Sequence, residues 1–134
     1  MLLIRAPDHL GDGVMALPAI TALSRLEPCV IEAPRWGDDL YAGLGSVIRP
    51  GGAPRAQAAV LLKPSLGAAW AVRHVPRRIG LSTDARWLLL TDAVVPTMRH
   101  RVDDFAAVAR AAGAVVDGLP SYAPEAPRFA IAPD

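Results

Sequence analysis

The opening stretch of the sequence constrains the fold most, because a short apolar run is followed there by a turn and then by a helical pattern. Leu2, Leu3 and Ile4 are consecutive apolar residues, which is typical of a parallel strand buried on both faces. Pro7 ends this strand, because proline has no N–H to donate and restricts the residue before it. The opening stretch therefore predicts a strand in the interior of a sheet.

The turn after this strand carries two glycines around an aspartate. Gly11 and Gly13 allow tight or positive-φ backbone conformations, and they let a ligand approach the main chain closely. The residues that follow predict a helix with one apolar face, because apolar side chains recur at helical spacing. Pro18 leaves two starts open: the helix begins shortly before this proline, or it begins at Gly11 and kinks. The apolar face contains Ala16, Ala19, Ile20, Leu23 and Leu26.

Asp12 is the carboxylate of this turn and is predicted to lie at or near the helix N-terminus. One interpretation is structural, because aspartate at this position caps a helix, and capping aspartates are far commoner than catalytic ones. The other is functional, because a helix N-terminus stabilises a carboxylate and also presents N–H groups to anions. The residues alone leave both interpretations open.

Short apolar runs alternate with helix-like segments farther along the chain. They have the length of buried strands, and residues that favour turns interrupt the chain between them. This alternation predicts a three-layer, doubly wound, Rossmann-like α/β domain with a mostly parallel sheet. The runs are residues 29–33, 46–49 and 58–62.

The pattern becomes less regular toward the end of the sequence. We expect a short edge strand at residues 75–80 and one more strand at residues 114–116. Between them lies a last helix, which Asp103 and Asp104 cap and Gly113 ends. Residues 1–116 are therefore predicted to form one domain, and the proline-rich residues 117–134 a connector.

Two turns are expected to meet at one edge of this sheet. Ligands of doubly wound domains bind beyond the carboxyl ends of the strands, which places the turns at residues 7–13 and 63–67 together. The second turn contains Lys63, a cation, and Ser65, which is predicted to cap the next helix. The sequence therefore predicts a cleft with Asp12 on one side and Lys63 on the other.

Basic residues are concentrated in one segment. The whole chain has 14 basic and 13 acidic residues, so its net charge is only +1 and general binding of nucleic acid is disfavoured. Residues 63–101 contain seven basic residues against Asp84 and Asp92. Such a segment is either a solvated surface or a site for an acidic ligand, since guanidinium groups bind phosphate and carboxylate. The basic residues are Lys63, Arg73, Arg77, Arg78, Arg86, Arg99 and Arg101.

Composition excludes several classes of protein. The 134 residues are 52% hydrophobic, which argues against disorder, and no run is long enough to cross a bilayer. Met1 is followed by no signal peptide, so a cytoplasmic location is expected. Cys29 is interpreted as a buried structural thiol, and it has no metal-binding spacing with the three histidines, so no metal site is predicted. The sequence has no Gly-x-Gly-x-x-Gly after a strand, so no dinucleotide cofactor is predicted.

Three segments of the sequence resemble a known family. Residues 10–23, Leu-Gly-Asp-Gly-Val-Met-Ala-Leu-Pro-Ala-Ile-Thr-Ala-Leu, resemble the opening of the lipopolysaccharide heptosyltransferases, glycosyltransferase family 9. Residues 75–80, Val-Pro-Arg-Arg-Ile-Gly, are similar to the Ile/Val-Pro-x-Arg-x-Gly segment of that family. Residues 98–101, Met-Arg-His-Arg, resemble its Met-x-x-Arg segment. The resemblance covers roughly residues 1–112 in the same order.

The resemblance implies one half of a two-domain GT-B glycosyltransferase. In that family the first domain holds a phosphorylated, carboxylate-bearing glycolipid acceptor, and the second, which this chain does not match, holds a nucleotide-sugar donor of the ADP-heptose type. Asp12 is then the general base of sugar transfer, and peripheral contact with the inner membrane is compatible with such an acceptor. The alternative is a non-catalytic Rossmann-like module that binds an anionic ligand or a partner protein. The expected substrate-binding residues are Asp8, His9, Gly11, Gly13, Lys63, Ser65, Arg77, Arg78, Arg99 and Arg101.

Overall fold

A computed structural model of the chain describes residues 1–52, 54–83, 86–97 and 100–116. None of the helices in these ranges is both long and apolar enough to traverse a lipid bilayer. The strands are β1 (Leu2–Arg5), β2 (Cys29–Glu32), β3 (Ser46–Ile48), β4 (Ala58–Leu61), β5 (Arg77–Leu81) and β6 (Asp92–Val94). The helices are α1 (Leu10–Met15), α2 (Leu17–Leu26), α3 (Gly37–Leu40), α4 (Leu66–Ala71) and α5 (Arg101–Ala111), with a 3₁₀-helix at Arg86–Leu89.

The six strands form one sheet in the order β3-β2-β1-β4-β5-β6, and every neighbouring pair is parallel. This order is that of a doubly wound Rossmann-like sheet. The chain adds β2 and β3 on one side of β1 and then returns to add β4, β5 and β6 on the other side. The predicted fold class is confirmed, and so is the interior position of β1, which lies between β2 and β4.

Both faces of the sheet are covered by helices. Leu2 and Ile4 belong to a core that α2 and α5 complete, whereas Leu3 belongs to a second core on the side of α4 and the 3₁₀-helix. All three side chains are almost completely excluded from solvent. The continuous apolar run in β1 thus reflects a strand with two buried faces.

The first helical region is divided at Ala16, which separates α1 from α2. Pro18 lies in the first turn of α2, where a proline is well tolerated because the first N–H groups of a helix have no partner within it. A continuous helix would need an N–H at Pro18 to donate to the carbonyl of Val14. The predicted start at Gly11 is therefore close to the observed start at Leu10. The helix is interrupted at Ala16, ahead of Pro18.

Three expectations about the later elements are wrong. β5 is not an edge strand, because β6 pairs with its outer side. Residues 114–116 form no strand, although Ala114 and Val116 contribute to the core. The N-cap of α5 is His100, whose Nδ1 accepts a hydrogen bond from the N–H of Val102, so the two aspartates lie within the first turn. Gly113 ends α5 with a positive φ, as expected. The predicted connector, residues 117–134, lies outside the described residues.

The packing of α1 explains one of its two glycines. Gly13 is buried under Trp36 and Tyr41, and the Tyr41 hydroxyl donates a 2.9 Å hydrogen bond to the Gly13 carbonyl. A Cβ at position 13 would overlap the indole ring of Trp36, whereas a Cβ at Gly11 would meet no atom within 4 Å. Both glycines are helical rather than in the positive-φ region. Gly13 therefore allows α1 to pack closely against the segment after β2.

We expect Gly13→Ala to lower the free energy of unfolding by about 1–2 kcal/mol, since overpacking outweighs the gain in helix propensity. Gly11→Ala is the matched control, and we expect it to raise the free energy of unfolding by up to about 0.5 kcal/mol because it gains propensity without a clash. Urea denaturation of the two variants measures both values. Equal effects of the two substitutions would contradict the packing role of Gly13.

Candidate functional site at the carboxyl edge of the sheet

The turns after β1 and β4 meet at the carboxyl edge of the sheet, as predicted. β1 and β4 are adjacent, while the helices that follow them cover opposite faces. A crevice opens at such a point because the two connections leave in opposite directions. Asp8 is hydrogen-bonded and ion-paired across this point, to Arg5 at the end of β1 and to Lys63 after β4.

The cluster of Arg5, Asp8 and Lys63 is partly buried. Arg5 is only 8% exposed, and its Nη2 lies 2.7 Å from Asp8 Oδ1, while its Nη1 has no hydrogen-bond partner. Lys63 Nζ contacts Asp8 Oδ2. Burial alone would raise the pKa of Asp8, but hydrogen bonds and charges from Lys63 and Arg5 outweigh it and hold this pKa below its ordinary value of 3.8. The carboxylate of Asp8 thus joins two cations from neighbouring strands.

Asp12 lies in the first turn of α1 and does not cap it. The N-cap residue is His9, and its side chain makes no capping hydrogen bond. The Asp12 Oδ1 atom lies 3.3 Å from Nε of Arg101, the first residue of α5. The side chain of Asp12 is 22% exposed and that of Arg101 is 55% exposed, so a ligand at this edge can reach both groups. The capping interpretation of Asp12 is therefore wrong.

A cavity of about 290 Å³ adjoins Arg101. Its walls come from the carboxyl ends of β4, β5 and β6 and from the start of α5. The buried Oγ1 atom of Thr83 has no hydrogen-bond partner, whereas Asp104 accepts two 2.8 Å hydrogen bonds from the N–H and hydroxyl of Thr97. The lining residues that bear on the site are Pro64, Thr83, Pro96, His100, Arg101 and Asp104.

The other predicted residues of the two turns lie at the same edge with different surroundings. His9 and Gly11 are exposed. Gly13 is covered by Trp36 and faces the protein interior rather than a ligand. The Ser65 hydroxyl accepts a 3.1 Å hydrogen bond from the N–H of Ala68, so it caps α4 as expected.

Arg77 and Arg78 do not lie at this edge. They are the first residues of β5, so they occupy the amino edge of the sheet. Arg77 is ion-paired with Asp92 at 2.9 Å, and Arg78 donates hydrogen bonds to the backbone carbonyls of Leu89 and Val75. Of the expected substrate-binding arginines in the described part of the chain, Arg101 therefore lies beside Asp12, whereas Arg77 and Arg78 lie at the opposite edge of the sheet. Arg99 lies outside the described residues.

The sequence interpretation missed Arg5 and Thr83. Arg5 is two residues after the buried Leu3, so it lies on the same inner face of β1, at the last position of the strand. A charged residue at such a position needs a partner, and the following turn supplies one in Asp8. Thr83 carried no comparable signal. Within the described ranges, no group of three or more histidine, cysteine, aspartate or glutamate residues is placed to hold a metal ion.

Comparison with known proteins supports the fold. No family model and no curated protein matches the chain. Among solved structures, it is similar to E. coli ADP-heptose LPS heptosyltransferase II, with a TM-score of 0.67 and 21% identity. The match covers 81% of this chain and 39% of that chain, so the chain spans well under half of the length of that protein. At this identity the likeness establishes the fold, a Rossmann-like α/β domain similar to part of a glycosyltransferase.

Proposed function

We propose that the chain is the acceptor-binding half of a heptosyltransferase-like glycosyltransferase. The donor is a nucleotide-sugar of the ADP-heptose type, and the acceptor is an anionic glycolipid of the lipopolysaccharide-core type. The observation that carries the proposal is the pairing of Asp12 with Arg101 at the carboxyl edge, beside the cluster of Arg5, Asp8 and Lys63. A carboxylate beside accessible cations matches an acceptor that must lose a proton and that carries acidic groups.

In the proposed reaction Asp12 acts as the general base. Its carboxylate takes the proton of an acceptor hydroxyl, and that oxygen forms a bond to the anomeric carbon of the sugar. The bond from the anomeric carbon to the nucleoside diphosphate breaks on the opposite side, and the diphosphate keeps the electron pair. Arg101 lies against the carboxylate and holds it in place, and its remaining N–H groups can bind an acceptor phosphate or carboxylate.

The donor is proposed to bind on a separate domain. The chain matches only 39% of the length of its structural neighbour, so an enzyme of that size has a further part that can hold the nucleotide-sugar. We therefore expect the 134-residue chain alone to transfer no sugar. The alternative function is a non-catalytic module that binds an anionic ligand or a partner protein at the same edge.

Binding of the acceptor is tested with a deacylated core oligosaccharide that carries phosphate and 3-deoxy-octulosonic acid. We expect Arg101→Gln to weaken its binding about tenfold, because a charge-assisted hydrogen bond is lost, and to reduce the dependence of binding on salt. NMR titration at several salt concentrations measures both effects. Arg55→Gln is the matched control, because Arg55 precedes β4 at the amino edge of the sheet and is exposed.

An equal loss of affinity in the two arginine variants would mean that binding depends on net charge alone, and it would contradict the proposed site. No binding of the oligosaccharide to the folded chain would contradict the choice of acceptor.

A further inference from the structure

An exposed apolar patch lies on the face of the domain that α4 and the 3₁₀-helix cover. It surrounds a shallow groove of about 500 Å³ lined by apolar groups, and we call it the α4 patch. Leu66, Trp70 and Leu88 are 52%, 56% and 67% exposed. Contiguous apolar surface of this kind on a small domain marks a place where something docks. The α4 patch consists of Leu66, Gly67, Trp70, Leu88 and Leu89.

The patch is not a by-product of core packing. α4 already buries Ala69 against the sheet, and Val72 follows it into the same core. Leu66 and Trp70 are four residues apart and lie side by side on the outer surface of this helix. The sequence thus places large apolar side chains where an isolated surface helix would carry polar ones.

Positive charge accompanies the apolar surface. The guanidinium of Arg73 lies 4.3 Å from the centre of the Trp70 ring and donates a 2.9 Å hydrogen bond to the Trp70 carbonyl. Tryptophan flanked by arginine is the combination that favours a membrane interface, where the ring lies at the headgroup level and the cation binds lipid phosphate.

We propose that the α4 patch docks the domain on the surface of an anionic phospholipid bilayer. Leu66, Trp70 and Leu88 enter the headgroup region, and Arg73 contacts phosphate. A second copy of the chain is a poorer occupant, because two such patches face to face would bring like charges together. Leu66 directly follows Ser65, so docking brings the carboxyl edge of the sheet close to the membrane. The inference rests on the patch and does not depend on the proposed sugar transfer.

Flotation of the full chain with lipid vesicles tests the inference. We expect binding to phosphatidylcholine vesicles in which about a third of the lipid is phosphatidylglycerol, and much weaker binding to phosphatidylcholine alone. The double substitution Leu66→Gln and Leu88→Gln is expected to lower binding to anionic vesicles at least about tenfold. Arg73→Gln is expected to lower it about fivefold. Brominated lipid should quench tryptophan fluorescence in the native chain and much less in Trp70→Phe.

The matched control is the double substitution Val14→Gln and Val115→Gln, which removes two exposed apolar side chains outside the patch. We expect this control to bind as the native chain does, and circular dichroism verifies that every variant is folded. Three results would overturn the inference: failure of the native chain to float, equal binding to neutral vesicles, or full binding by the patch variant. Dimerisation that the patch variant abolishes, without vesicle binding, would identify a second copy as the occupant instead.

Discussion

Asp8→Ala is expected to lower the free energy of unfolding by about 2–3 kcal/mol, the largest effect on stability that we anticipate for a single substitution at the site. The loss follows from the Arg5 guanidinium, which is buried and already has one N–H group without a partner. Removal of the Asp8 carboxylate leaves this cation without its counterion. Because Asp8 itself is 40% exposed, we expect a value below that for a fully buried ion pair.

Urea denaturation measures the loss of stability in Asp8→Ala, and Asp38→Ala is the control variant. Asp38 is ion-paired with Arg49 at the surface, so the same substitution there should cost less than about 1 kcal/mol. A second variant, Arg5→Met combined with Asp8→Ala, should recover much of the lost stability, because it also removes the buried charge. Equal effects of the two aspartate substitutions, or no recovery in the double variant, would contradict a buried cation at Arg5.

The effect of Asp8→Ala is also expected to depend on pH. The pKa of Asp8 is lowered in the folded protein, so the unfolded chain binds a proton at this residue more readily than the folded chain does. The contribution of Asp8 to stability is then fully present above pH values near 3.8, its ordinary pKa, and is lost as the pH falls through the lower pKa of the folded state. The difference in stability between the native chain and Asp8→Ala should therefore be constant at neutral pH and shrink in acid.

Asp12→Asn is expected to lower turnover about 10²–10⁴-fold in an enzyme assembled from this chain and a donor-binding domain, because that is the usual contribution of a general base. The free energy of unfolding should change by less than about 1 kcal/mol, since the partner of Asp12 is the exposed Arg101 and surface ion pairs contribute little. Initial rates with a nucleotide-heptose donor, together with urea denaturation, separate the two effects. The acceptor should bind nearly as well as before.

Asp103→Asn provides the control for charge, because Asp103 lies in the first turn of α5 and the substitution removes one negative charge near the same edge. We expect this variant to keep its turnover. Full turnover in Asp12→Asn would remove the aspartate from the mechanism and favour the non-catalytic binding module.

The interior of the sheet could be predicted from the sequence because burial on two faces leaves a distinctive pattern. Leu2, Leu3 and Ile4 form an apolar run that no polar residue interrupts, and such a run is accommodated only by a strand that is covered on both faces. Ser65 could be predicted as a cap because a cap depends on one residue and its immediate neighbours. β6 has only three residues, of which Ala93 is exposed and the other two are partly buried, so its pattern does not differ from that of a loop.

The composition of the site was harder to predict, because net charge along the chain carries no information about position in the sheet. Arg77 and Arg78 contribute to a basic segment, yet they open a strand and Arg101 opens a helix. Residues that open a parallel strand lie at the edge opposite to ligands, and this rule would have separated them from Arg101. The burial of Gly13 depends on Trp36 and Tyr41, which are distant in sequence, so local pattern could not distinguish a packing glycine from a ligand-binding one.

The pairing of Asp12 with Arg101 also has a consequence for biosynthesis. Asp12 belongs to the first helix of the described chain and Arg101 to the last. During synthesis Asp12 therefore leaves the ribosome long before Arg101 does. α5 also contributes Phe105 and Val108 to the core beside α2, which stays uncovered until this helix arrives. Because domains generally fold as units during synthesis, the charge pair can form only after α5 has left the ribosome. A nascent chain that stalls before α5 carries Asp12 without its counterion and exposes apolar surface that chaperones bind.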